Sequence, residues 1–535
     1  MSTFAALLKQ HVTNKNISVL KISEEVGIDR TVFHTYMSEK RKPKSHIEVR
    51  RICKAMQLSA AEQTALLTAY FESQYGSKSY ADFLTLQQIL EGTQDFRLKP
   101  DVVTASAASL NALPEASSFL PQSSQVQTYN GALQVEYAFT SFLDRFVAEA
   151  AKAAAHTGTS VEAKNAGTDT MANDGTGTSA GADIGMSGFS GLKGVISSAD
   201  TLHILMQPTQ AQLMRLLMLH TAGQPVQLEQ LLCLEQNPKD NNNLSLLLPA
   251  IALFLNHPGY HCRYYYDNVE AHINQMTLLP IMVLTKDSAF LCNQTCDSCC
   301  IIRNPEIAGF LLLQYTALSQ VSEELGIPLQ MFTEHNTRCE DYFQVGDPVY
   351  TFSYSPLFTL GMTMEMLMDH LTMDEEAKAS FMQIVQHEFS VMGAGKGICE
   401  YFEKDALREF MESGEFPAYP SPEGFYRRPS MNIRLQILNK LIALNKEGYL
   451  SSHMSNHTYF RLSKENQVLS NPRQGYVEIR CETYGRSTSI LLQEACLCST
   501  LQEFPKYAMA TNLFCSQDET VKYMESLAWE FASGQ

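Results

Sequence analysis

Three stretches of the chain combine residue type and spacing that could do chemistry. In SEKRKPKS, Lys40, Arg41, Lys42 and Lys44 fall within five positions. Four cations this close form a clamp for phosphate oxygens by charge alone. Just upstream, DRTVFHTYM carries Arg30, Thr31, His34 and Thr35 at helical spacing. Arginine can donate twice to one guanine edge, and threonine can donate, accept or touch a thymine methyl. The second stretch is CNQTCDSCC, with Cys292, Cys296, Cys299 and Cys300. Thiolates at such spacings suit zinc or a redox switch. The paired C-x2-C repeat of zinc sites is absent, and the adjacent Cys299 and Cys300 would point in different directions. A Cys-rich turn between two strands is the plainer reading. The third stretch is GAGKG at 393–397. A phosphate loop needs glycine five residues before its Gly-Lys pair and Ser or Thr after the lysine. Ser390 and Gly397 stand there instead, so this reads as a flexible turn.

Other candidates are weaker. Histidines 203, 261, 335, 370, 387, 453 and 457 are scattered, and the His453–His457 pair lacks the glutamate of a metalloprotease helix. Tyr264, Tyr265 and Tyr266 follow Arg263 and read as a buried aromatic strand. No nucleophile-elbow signature is present, so neither an enzyme nor a cofactor is expected.

The basic stretch needs elements to aim it. KISEEVGIDRTVFHTYMSEKRKP reads as a helix over about Ser18 to Val26, a turn at Gly27, and a helix from Arg30 to about Ser38. Glycine adopts the left-handed backbone of a tight interhelical turn without strain. Asp29 is placed to cap the second helix. Ile22, Val26, Ile28, Phe33 and Tyr36 fall where two steeply crossing helices bury side chains, and Ser23 is small where they approach. Arg30, Thr31, His34 and Thr35 then lie on the open face. Ser45-His-Ile-Glu48 and Ser59-Ala-Ala-Glu62 both match the S-x-x-E capping box and start two more helices. With a first helix at Phe4–Val12, five helices occupy about 75 residues.

Residues 1–76 resemble the Cro/repressor (Xre) type of helix-turn-helix, whose second and third helices read DNA. The resemblance covers about a seventh of the chain. Ser23 stands where alanine is usual, and Met37-Ser38-Glu39 lacks the acidic-x-Gly often found after the reading helix. The resemblance implies that Arg30, Thr31 and Thr35 face base edges. It places His34 at the groove wall or a phosphate, and Lys40, Arg41, Lys42 and Lys44 along the backbone. It also implies double-stranded DNA as partner and a homodimer on a two-fold site, with its interface in the C-terminal region or the 77–97 helix.

Charge supports a basic head on an acidic body. The 535 residues carry a net −17. Residues 1–76 hold 11 Lys/Arg against 7 acids, a net +4, so the rest carries −21. The length suggests more than one core. Residues 77–132 read as a connecting helix and linker, and 133–200 as a helix plus a disordered insertion. Within 151–190, Ala, Gly, Thr and Ser fill 26 of 40 positions, too little apolar surface to offset the entropy of ordering. Residues 201–535 read as an α+β sensor or assembly region, with two subdomains meeting near 350. The expected fold is therefore an all-α five-helix domain followed by a large α+β C-terminal region. No signal peptide or membrane span is read, and thirteen scattered cysteines fit a reducing cytoplasm. The expected function is a bacterial, sequence-specific DNA-binding transcriptional regulator with a small-molecule or protein effector. A phage-repressor or antitoxin-like interaction protein is the alternative.

Overall fold

The computed structural model describes chiefly residues 3–91, 125–165, 201–235, 243–267, 280–329, 349–372, 397–415 and 427–533, apart from short gaps. They form two compact units. One comprises Met1–Thr93, Asn237–Ser245 and Leu329–Gln535; the other comprises Gln94–Gln236 and Leu246–Pro328.

The chain opens with α1 (Phe4–Lys15), α2 (Val19–Val26), α3 (Arg30–Met37), α4 (His46–Ala55), α5 (Ala60–Tyr75) and α6 (Ser77–Glu91). Thr3, Ser18, Asp29, Ser45 and Ser59 cap the first five, each side chain accepting from a first-turn N–H. These caps satisfy donors that the helices leave without internal partners. Leu8, Ile22, Phe33, Val49, Ile52 and Leu66 are fully buried among the helices. Each such side chain stabilises the fold by about 1.5–3 kcal/mol. Of the two expected capping boxes, Ser59–Glu62 is complete. The other is half-formed. Ser45 accepts from the Glu48 N–H, but the Glu48 carboxylate turns to the Tyr36 hydroxyl at 2.8 Å and the Lys44 N–H at 2.9 Å.

These helices do not stand alone, and here the expected fold is corrected. Phe71, Tyr75, Tyr80 and Phe83 of α5 and α6 surround the buried Tyr507, which lies on the helix Ala495–Ala510. Phe83 stacks on it with centroids 4.6 Å apart. His46 Nδ1 meets the Ala510 carbonyl at 2.9 Å, and Asn466 Nδ2 donates to the Ile89 carbonyl at 3.3 Å. The all-α segment is thus part of one compact unit with residues 329–535. An apolar stripe on a short helix does not reveal whether its cover is local or 400 residues away.

The expected α+β C-terminal region is also replaced by mixed α/β architecture with two large sheets. The Gln94–Gln236 and Leu246–Pro328 unit holds β1 (Val126–Asn130), β2 (Thr201–Leu205), β3 (Gln227–Glu235), β4 (Tyr260–Asp267), β5 (Ile281–Leu284), β6 (Ser288–Cys292), β7 (Ser298–Arg303) and β8 (Glu323–Glu324). Their order is β1-β7-β6-β5-β2-β3-β4-β8. β2, β3 and β4 run parallel, which requires crossover connections; one is the helix Ala211–Thr221. β1 falls inside the expected linker. It pairs antiparallel with β7, Val126 opposite Ile302. The helix Ala132–Asn165 extends into the small-residue stretch, while 166–200 lie outside the described residues.

Chain order continues with β9 (Gly326–Leu329), β10 (Val349–Ser353), β11 (Ile398–Phe402), β12 (Leu450–Met454), β13 (Asn466–Asn471), β14 (Tyr476–Thr483) and β15 (Arg486–Leu492). Six of these lie in the first unit, ordered β12-β11-β10-β13-β14-β15. β10, β11 and β12 are parallel; β13 to β15 form an antiparallel meander. Phe402, Phe410, Ile437, Leu441 and Met524 pack beneath the parallel strands.

Candidate functional site

The exposed basic surface is built on α2 and α3. Gly27 ends α2 with φ +74°, and the N–H groups of Gly27 and Ile28 both reach the Ser23 carbonyl, at 2.9 and 3.0 Å. Asp29 accepts from the Thr31 N–H at 2.6 Å, and bonds from Thr31 hold its carboxyl below the usual range. Phe33 and Tyr36 are buried, so the opposite side of α3 is fixed outward. Arg30, Thr31 and His34 are exposed there. Thr35 is only half-exposed, and its hydroxyl donates back to the Val32 carbonyl at 2.6 Å. Its donor is therefore spent within its own helix.

The loop after α3 is held from below. Lys40 N–H and Arg41 N–H both donate to the Thr35 carbonyl, at 3.1 and 3.3 Å. The Tyr36 hydroxyl and the Lys44 N–H both donate to Glu48. Burial, with that bond to Glu48, pushes the Tyr36 phenol up to about 12, so it stays a donor through the neutral range. Lys42 donates its ammonium to the Ser73 carbonyl on α5. Lys40, Arg41, Lys42 and Lys44 are all exposed, and among the described residues none of them, nor Arg30, forms an ion pair. Four of the head's seven acids are otherwise engaged: Asp29 caps α3, Glu39 accepts from Thr3, Glu48 holds the loop, and Glu62 pairs with Lys15 at 3.1 Å. The surface therefore keeps unneutralised positive charge. Sequence reasoning missed Glu48, Tyr36 and Ser73 as its supports. The S-x-x-E pattern marked Glu48 but assigned it the wrong acceptor role.

The other candidates fall elsewhere. Cys292 ends β6, Cys299 and Cys300 lie in β7, and Cys296 sits in the turn with φ +53°. Among the described residues no group of three or more His, Cys, Asp or Glu side chains is placed to hold a metal ion. Tyr264 and Arg263 lie in β4; the Tyr264 hydroxyl donates to Glu323 at 2.8 Å, and Arg263 to the Ser319 carbonyl at 2.7 Å. His453 lies in β12, stacked on Tyr401, while His335, His387, His457 and 391–396 lie outside the described residues. The apolar face of α6, one of two places expected to carry a dimer interface, is covered within its own unit by Phe504 and Tyr507. No helix among the described residues is long and apolar enough to cross a membrane.

No family model and no curated protein matches the chain. A solved structure that matches is the crystal structure of phosphatidylserine synthase from Haemophilus influenzae Rd KW20. It is 11% identical over 81% of this chain and 97% of that one, with a TM-score of 0.22, a likeness that assigns neither fold nor chemistry to this chain. The expected function is corrected here. The sequence-specific transcriptional regulator, a DNA-reading head joined by a linker to a separate sensing region, is not upheld: the head is built into the unit that contains 329–535.

Proposed function

We propose that the α3 surface and the loop after it dock on the phosphates of double-stranded DNA. The observation that carries the reading is the row of exposed cations without ion-pair partners, Lys40, Arg41, Lys42 and Lys44, beside the outward Arg30, Thr31 and His34. Docking a polyanion there releases condensed counterions, which drives binding without any base contact. The resemblance of residues 1–76 to the repressor type supports the same partner. Transcriptional control forms no part of this reading.

The test is anisotropy of a labelled mixed-sequence duplex, titrated with the full chain across a salt series. Affinity should fall steeply with salt. The double variant Lys40→Gln/Arg41→Gln should flatten the logarithmic salt dependence by about two units, since each phosphate contact contributes about 0.9. Both side chains are exposed, so folding should be unchanged. No binding at low salt, or an unchanged slope in the variant, would remove DNA as the partner of this face.

A further inference from the structure

The helix Pro305–Gln320 follows β7 and lies on the sheet of its own unit. Asn304 caps it, accepting from the N–H groups of Glu306 and Ile307 at 2.9 and 3.2 Å. Its inner face is fixed. Tyr315 is buried, and Leu311, Leu312 and Leu318 pack with it against Leu231, Leu284 and Ala289 of the strands. The Tyr315 hydroxyl donates to the Glu229 carbonyl on β3 at 2.7 Å. A helix covered on one side normally turns polar residues to the other. This one does not. Phe310, Leu313, Ala317 and Val321 follow one another at intervals of three and four, all exposed, with Ile307 one turn before them. Ile307, Phe310, Leu313 and Val321 are 41, 61, 69 and 78% exposed. Side chains exposed to this degree present roughly 400 Å² of apolar surface, the scale at which a patch on a soluble protein marks a contact site.

We propose that a second copy of the chain docks on this stripe, the two helices packed antiparallel about a two-fold axis beside Leu313. Charge favours a copy and sets its direction. The chain carries a net −17, so two copies repel wherever their acids meet. Residues 305–321 hold one charge, Glu306, at the start of the helix. Antiparallel packing keeps the two Glu306 carboxylates at opposite ends of the contact, about 20 Å apart at 1.5 Å of rise per residue and well beyond the screening length. Parallel packing would set them side by side. Antiparallel packing also opposes the two helix dipoles. Size fits the same axis: Phe310 of each copy meets Ala317 of the other, bulky against small, and Leu313 meets Leu313. Gly309 flanks the stripe. A Cβ there would meet nothing within 4 Å, so its own fold does not call for glycine, a poor helix former. Glycine instead lets a second backbone come close. With the uncharged Gln314 and Gln320 at its rim, the doubled stripe covers about 1,000 Å² in total, the threshold of a specific interface, so the dimer forms in the micromolar range.

The experiment is sedimentation equilibrium of the full chain from about 1 to 100 μM, a range that brackets micromolar association. Wild type should pass from monomer to dimer. Leu313→Glu should weaken the dimer about tenfold or more, because two like charges then meet at the axis. Leu313→Lys should do the same, and an equimolar mixture of the two variants should dimerise again. That rescue requires position 313 of one copy to lie against position 313 of the other. Leu133→Glu, at an apolar side chain that is 70% exposed on the helix Ala132–Asn165, should leave the dimer unchanged. Leu313 and Leu133 are both exposed, so circular dichroism should show every variant folded. A wild type that stays monomeric throughout leaves the stripe to a different partner and overturns the proposal. So does a dimer that Leu313→Glu does not weaken, or a mixture of the two variants that stays monomeric.

Discussion

Replacing Tyr507 with alanine should lower unfolding stability by about 3–5 kcal/mol, the range for losing a buried aromatic ring. Tyr507 is 3% exposed and lies among Phe71, Tyr75, Tyr80, Phe83 and Phe504. Beyond its buried area, each edge-to-face or stacked ring pair adds about 0.5–1.5 kcal/mol. The alanine leaves a cavity that four residues from two helices, α5 and α6, would have to collapse into together. Tyr507→Phe keeps every ring contact and should cost far less. Urea midpoints for the three proteins measure the difference. Hydrogen exchange should also quicken selectively in α5 and α6 of the alanine variant, because these helices lose their cover. A loss under about 1 kcal/mol, or exchange raised evenly over the whole chain, would show that the ring cluster is not what fastens the N-terminal helices.

That cluster also explains how much of the molecule could be read from residues alone. The caps and buried positions of α1 to α5 are local facts. Ser18, Gly27, Asp29 and Ser59 act on atoms within five residues, so their spacing announces them. The strand β4 was legible for the same reason: its aromatic run is local. β1 was not. Its residues, VQTYN, alternate exposed and half-buried and look like linker until β7, some 170 positions later, supplies the ladder. The parallel strands β10 and β11 were missed because only their helical crossovers make them strands of one sheet. The helix Ala495–Ala510 has Pro505 inside it and hides its role as the cover of α6. At the basic surface, the residues were legible but their posts were not. Nothing in the spacing says that Glu48 serves the loop instead of its own helix cap, or that Thr35 spends its hydroxyl on Val32.

Replacing Glu400 with glutamine should stabilise the protein above neutral pH and flatten its pH dependence. Glu400 lies in β11, fully buried. Its carboxylate accepts from the Leu357 N–H at 2.8 Å and from the Ser452 hydroxyl, which in turn accepts from Asn445 at 2.8 Å. Burial pushes the carboxyl up to about 7, against those two bonds, from an ordinary value of 4.5. Between these values the native state binds the proton that the unfolded chain has released. Stability from this group is therefore complete below pH 4.5 and is lost as pH rises through about 7. The loss amounts to about 3 kcal/mol, since each pH unit between the two values is worth about 1.36 kcal/mol. Burial lowers His46, His257 and His453, so their sign is opposite: they stabilise above their ordinary value and lose that stability as pH falls. The difference between wild type and Glu400→Gln cancels the histidines and isolates the carboxyl. Glutamine keeps an oxygen for Leu357 and an N–H₂ that can donate to Ser452. Urea midpoints at pH 5 and pH 8 should nearly coincide for the two proteins at the lower value and separate in favour of glutamine at the higher. Equal separation at both would mean that glutamine changes packing and that Glu400 is ionised in the folded protein throughout.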